Sequence, residues 1–165
     1  MPEKLIRLSN RLMTVAGFIE KGADVADVGT DHGYLPVYLA QSGLARSIIA
    51  SDKSADSLGT ALKSAAKYGV TEKISFRVAP GLSGISEDEA DTIVIAGMGG
   101  ETIIGILEEA PWTRRNGVKL VLQPQTKLGK LCVWLYDNGY RILDASPVRD
   151  RGRPYVVLLC LSEVA

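Results

Sequence analysis

One histidine and two cysteines are all that 165 residues offer to a soft metal or a disulfide framework. Cys132 falls on the apolar side of a predicted helix and Cys160 inside a predicted strand, as buried thiols do, so neither a metal site nor a disulfide is expected. Net charge is missing too. Nineteen basic residues balance nineteen acidic ones, so any attraction to nucleic acid or a membrane surface must come from a local patch. No apolar run approaches a membrane span and the N-terminus lacks the apolar centre of a secretion signal, which makes the cytoplasm the expected compartment. Internal repeats, low-complexity tracts and linkers are absent as well. A single domain over residues 1–165 is expected, long enough to bury a core.

What the chain does contain is organised around Asp24–Leu39. The apolar run Val25–Val28 ends in a glycine-bearing loop, and Pro36 suits the first turn of the helix that follows. Strand, tight loop and helix make the first unit of an open parallel α/β sheet, whose ligands sit at the carboxyl ends of the strands. Gly29 and Gly33 are spaced G-x-x-x-G, whereas a dinucleotide site wants G-x-G-x-x-G, and Asp31 would repel a diphosphate. Asp27, at the strand end, suits a cation, such as the amino group and sulfonium of S-adenosylmethionine. The cofactor's carboxylate can then meet backbone N–H groups at the helix N-terminus, around Tyr34 and Leu35. The competing reading is a glycine-rich turn with helix-capping acids.

Further units follow in order. Leu8, Leu12, Val15 and Ile19 mark an amphipathic helix before the sheet, with Ser9 as N-cap and Arg11 on its polar side, where it can fold over the cofactor. A second strand, Ser47–Asp52, ends in an acid placed to accept hydrogen bonds from two ribose hydroxyls, with Lys53 beside it. Asp52 is alternatively a helix N-cap, although Ser54 serves equally well. A helix from about Ala55 to Tyr68 presents Leu58, Ala61, Leu62 and Ala65. The third strand, Ile74–Val78, leads into Pro80, Gly81 and Leu82, expected beside the adenine, and the acidic stretch from Ser86 to Asp91 reads as a solvated connector. A buried strand, Asp91–Ala96, precedes Gly97, Met98, Gly99 and Gly100, glycines that let backbone approach a ligand closely. Val118–Leu122 is the fifth strand, followed by Gln123 and Pro124. Tyr140–Val148 and Tyr155–Leu161 flank too short a connection for a parallel crossover, so they form an antiparallel hairpin. The expected fold is α/β and Rossmann-like: a seven-stranded, mostly parallel sheet with an antiparallel last strand, helices on both faces and a helix in front. That is the layout of class I methyltransferases, whereas dehydrogenases of this fold keep their strands parallel.

With these residues in hand, the chain resembles the bacterial tRNA (adenine-N1)-methyltransferases of the TrmK type, which act on adenosine 22 of tRNA. The resemblance rests on Leu8–Ala16, Ala26–Pro36, Ile95–Gly100, Leu122–Pro124 and Trp134–Tyr140, in that order. It implies S-adenosylmethionine as cofactor, S-adenosylhomocysteine as product and tRNA as partner. Two departures stand out. The family carries Gly-Asp-Gly after the third strand where this chain has Ala79-Pro80-Gly81, so weaker cofactor binding is expected. The family also continues into a C-terminal helical extension, which a chain ending at Ala165 is expected to lack.

Methyl transfer from a sulfonium to a neutral adenine nitrogen creates no net charge, so alignment and fixed dipoles should dominate over general-base chemistry. Ala96 and Gly97 offer backbone to the cofactor and the base, and Met98 or Tyr34 can pack against a base drawn out of its stack. Asp31, then His32, are the candidates for a charge near the developing cation, and Gln123 for a hydrogen bond to a base edge. For RNA the expected contacts are Arg11, Gly99, Pro124 and the hairpin tip Arg149, Arg151 and Arg153, joined by Lys127 and Lys130 on the same edge. The alternatives are a methyltransferase of small molecules or proteins, or a non-catalytic module that binds the cofactor or RNA.

Overall fold

The structure, a computed structural model, describes residues 4–115 and 117–162. Helix α1 (Asn10–Gly17) precedes β1 (Ala23–Val28), α2 (Tyr34–Ser42), β2 (Ala45–Asp52), α3 (Ala55–Lys67) and β3 (Ser75–Val78). The chain continues through β4 (Thr92–Met98), α4 (Gly100–Glu108), β5 (Lys119–Pro124), α5 (Leu128–Asp137), β6 (Tyr140–Asp150) and β7 (Arg153–Ser162). All seven strands join one sheet in the order β3-β2-β1-β4-β5-β7-β6. β1 to β5 are parallel, and β7 runs antiparallel between β5 and β6. The Rossmann-like layout expected from the sequence is present, with the hairpin folded so that its last strand fills the place beside β5.

Period-two alternation divides the core between the two faces of the sheet. Ala26, Ile93, Ile95, Leu120 and Leu122 meet Ile103 and Leu107 of α4 and Leu131 and Leu135 of α5. Val25, Ile48, Val94 and Val121 meet Val15 of α1, Leu35 and Leu39 of α2, and Ala65 of α3. Ser9 caps α1, its hydroxyl accepting from the Leu12 N–H at 3.2 Å, and Ser54 caps α3 through the Ser57 N–H. Leu62 departs from the expected face: it is exposed, because α3 lies against β2 and the short β3 through a narrow stripe of Leu58, Ala61 and Ala65. The stretch from Ser86 to Asp91 is also more than a solvated connector. Glu89 accepts two hydrogen bonds from Arg77, at 2.7 and 2.5 Å, which hold its carboxyl down to about 2.

Topology sets the place of the site. The chain leaves β1 toward β2 and β3, then returns to the other side of β1 for β4 and β5, so the loops after β1 and β4 diverge and leave a crevice. Since β6 runs parallel to β5, the hairpin tip projects at that same edge.

Gly33 shows how tightly the first loop is seated. Its φ is +74°, and a Cβ there would stand 2.7 Å from the Ala61 Cβ and 2.9 Å from its Cα. Gly33→Ala is expected to cost about 2–4 kcal/mol, combining left-handed strain with overpacking. Urea unfolding of the variant measures the loss, and an unchanged stability would show that the loop is not seated against α3.

Candidate functional site

Asp27 sits one residue before the end of β1, buried at the switch point, with its Oδ2 accepting from the Thr30 hydroxyl at 2.8 Å. The loop after it is pinned sideways onto β2, as the Gly29 and Thr30 N–H groups both donate to the Ser51 carbonyl, at 2.8 and 3.0 Å. Asp52 at the tip of β2 completes the attachment: one carboxylate oxygen accepts from the Asp31 N–H at 3.1 Å and the other from the Ser54 N–H at 2.9 Å. Because Ser54 caps α3, Asp52 is not needed as its cap, and each of its oxygens retains a lone pair. Asp31 and His32 stand exposed at the mouth with Asp31 Oδ2 3.8 Å from His32 Nε2, and His32 stacks on Tyr34 at 5.2 Å.

The facing wall is built from β4 and β5. Gly97 bulges out of the ladder with φ +78°, and Met98 lies across the crevice so closely that a Cβ on Gly29 would collide with its methyl group. The Met98 carbonyl accepts from the Gln125 N–H at 2.7 Å and the Gly99 carbonyl from the Ile103 N–H at 3.0 Å, which leaves Ala96–Gly97 as the main-chain surface on which a base can rest. Gln123 ties this wall together. Its Oε1 accepts from an Arg11 guanidinium nitrogen at 2.7 Å and from the Gly97 N–H at 3.0 Å, while its Nε2 donates to the Pro124 carbonyl and to Gln125 Oε1. Arg11 thereby enters the crevice from α1, its Nε 3.9 Å from Asp150.

Between these walls lies a cavity of about 1660 Å³. A typical small-molecule pocket holds roughly 300–1,000 Å³, so there is room for two ligands side by side. Asp27, Gly29, Tyr34, Leu35, Asp52, Lys53, Pro80, Gly81, Ala96 and Gly97 line it, as do Asp31, His32, Arg11, Met98, Gly99, Arg151 and Arg153. Several expected residues do not. Gly33 is consumed by the Ala61 contact, and Leu82 is buried in the core under α4. Gln123 is fully buried with both amide atoms saturated, so it has no donor or acceptor left for a base edge and instead positions Arg11 and Gly97. Pro124 and Arg149 line a separate groove next door. Lys130 leaves the basic rim for an ion pair with Glu101 at 3.2 Å. Sequence reasoning missed Thr30, although a hydroxyl three residues after an acid at a strand end is a recognisable pairing, and missed Ile106 of α4 and Glu109 just past its end, which also line the cavity.

Electrostatics distinguish the two acids. Burial pushes the Asp27 carboxyl up to about 7, the Thr30 hydroxyl and Arg11 restraining the rise and the Asp52 charge adding to it. Such a group is relieved by a cation brought against it, which fits an ammonium or sulfonium. Asp52 at a strand tip suits a diol and the N-terminus of α2 a carboxylate, while Pro80 and Gly81, packed beside Ile106, give the cavity an apolar wall.

Similarity to known proteins agrees with this chemistry. The profile of a family described as a methyltransferase domain matches residues 8–158. The Bacillus subtilis tRNA (adenine(22)-N(1))-methyltransferase is 38% identical over 154 residues, and the match takes in 93% of this chain but spans only 65% of that relative's length. The crystal structure of the B. subtilis m1A22 tRNA methyltransferase TrmK superposes with a TM-score of 0.90 at 37% identity, over 96% of this chain and 68% of that one. A Streptococcus pneumoniae protein crystallised in complex with S-adenosyl-L-methionine gives a TM-score of 0.89 at 38% identity, over 94% and 73% of the two chains.

The raised Asp27 carboxyl has a measurable effect on stability. The unfolded chain releases this proton near the ordinary value of 3.8, whereas the folded chain keeps it until about 7. The unfolded state therefore binds fewer protons in that window, and the Asp27 contribution to stability falls as pH rises through it. Asp27→Asn should match the parent near pH 4 and exceed it by about 2–4 kcal/mol at pH 8, as read from urea unfolding across the range.

Proposed function

Because the chain belongs to the methyltransferase-domain family, we propose that it transfers the methyl group of S-adenosylmethionine to N1 of an adenine in tRNA, the residue equivalent to adenosine 22. The observation that carries this is the pairing at the switch point: a buried, cation-seeking Asp27 beside a diol-ready Asp52, facing a basic rim. Asp27 holds the methionyl amine, the α2 N-terminus its carboxylate, Asp52 the ribose hydroxyls, and Pro80–Gly81 the adenine. When bound, the cofactor supplies an electrophilic methyl on a positively charged sulfur. The base lies on Ala96–Gly97 against Met98 and Tyr34, with N1 turned to the methyl. Its N1 lone pair takes the methyl as the positive charge passes from sulfur to the base, so no proton has to move. Asp31 and His32, at the mouth beside Tyr34, face the new charge. Arg11, held by Gln123, and the hairpin tip with Arg151 and Arg153 receive the RNA backbone. The whole chain acts as one domain, in the cytoplasm.

Incubation with labelled S-adenosylmethionine and unmodified tRNA, followed by nucleoside mapping, is expected to place label on adenine N1. Label elsewhere, or none, contradicts the reading.

Two substitutions test the cofactor half. Asp52→Ala removes two charge-assisted hydrogen bonds of about 1.5–3 kcal/mol each, and calorimetry should show S-adenosylmethionine bound at least tenfold more weakly by a folded protein. Pro80 lines the cavity but its carbonyl is engaged by the Ser83 N–H and hydroxyl, at 3.1 and 2.7 Å, so the loop offers no acid to an adenine amino group. Pro80→Asp should tighten cofactor binding about tenfold, the value of one such bond. Equal or weaker binding would show that this loop does not face the adenine.

A further inference from the structure

Beside the main crevice, the β5–α5 loop and the β6–β7 hairpin enclose a second groove of about 580 Å³. Its walls are flat and apolar, built from Pro124, Pro147, Pro154 and Tyr155, and no acidic residue lines it. Lys127 and Arg149 stand on its rim, both exposed, and neither has an acidic partner among the described residues. Gln125 and Tyr155 line both cavities, so the groove adjoins the crevice. Gln125 is itself fixed to the base-bearing loop by its N–H on the Met98 carbonyl.

The backbone adds a second, independent observation. Among the described residues only Asp31, Lys127 and Arg151 are non-glycine residues with left-handed φ, at +54°, +58° and +52°. Asp31 and Arg151 line the crevice and Lys127 the groove. Glycine or asparagine would occupy such positions with less strain, so the two cations among them, Lys127 and Arg151, come at a cost to the fold. Lys127 is locked in place from beneath, because a Cβ on Gly100 would come within 2.7 Å of its carbonyl oxygen.

We propose that this groove seats a nucleotide directly neighbouring the methylated one, its base laid on the proline and tyrosine faces and its phosphates met by Lys127 and Arg149. The proposal rests on the tRNA reading above and narrows it. A base drawn from its stack leaves a splayed neighbour, and apolar or aromatic faces take such bases without regard to sequence.

The test uses the full chain and unmodified tRNA. Lys127→Asn with Arg149→Ala should lower the slope of log affinity against log salt by about 1.4, the value for two single-strand phosphate contacts, and raise KM for tRNA at least tenfold. Affinity for S-adenosylmethionine, and kcat, should stay within about twofold, and Lys127→Asn alone should not destabilise the protein, since asparagine tolerates the backbone. A transcript with an abasic site on one side of the target adenosine should raise the parent KM about fivefold or more, from lost stacking. Unchanged slope and KM in the double variant, or indifference to abasic sites on both sides, overturns the subsite while leaving methylation of tRNA intact. A parent protein inert toward tRNA overturns the subsite and the tRNA reading together.

Discussion

A carboxylate kept out of water with one hydroxyl for company is the constraint from which the site follows. Asp27 is buried because β1 is a central strand, covered on both faces, and its side chain has nowhere to turn but the gap where the strand order reverses. Leaving a charge there is unfavourable, which is why its proton is held so firmly. The fold thus stores at its switch point a demand for positive charge that no side chain fully meets: Arg11 is near enough to be felt, but its guanidinium is committed to Gln123.

Gln123 plays the complementary part on the other wall. Its amide joins three segments distant in sequence: α1 through Arg11, the β4 bulge through Gly97, and the β5 loop through Pro124 and Gln125. A fully satisfied amide in the interior rigidifies what it links. The main-chain wall of the crevice is therefore held by a residue buried beneath it, and the first helix becomes part of the crevice instead of an appendage to the sheet.

Much of this was legible in the sequence, for physical reasons. Buried parallel strands must be short apolar runs, so the acids ending two of them, Asp27 and Asp52, could be placed side by side at the crevice from the sequence. A connection as short as Arg149–Pro154 forces antiparallel pairing, so the hairpin and its position at the crevice followed. The failures share one cause: they depend on what stands opposite. Gly33 looked like a ligand-approach glycine and is a packing glycine because Ala61 sits against it. Gln123 looked available because its partners lie 26 and 112 residues away along the chain. Leu62 has helical spacing but no sheet beneath it, and Lys130 has a charge but also Glu101.

The hairpin tip carries one more consequence. A molecule whose charges cancel in sum has no monopole, yet four cations without an ion pair among the described residues, Lys127, Arg149, Arg151 and Arg153, gather along one border. What remains is a lopsided distribution that exerts torque on a polyanion more than it exerts pull. Encounters with a polyanion are rotated into alignment with the opening at close range, within the screening distance.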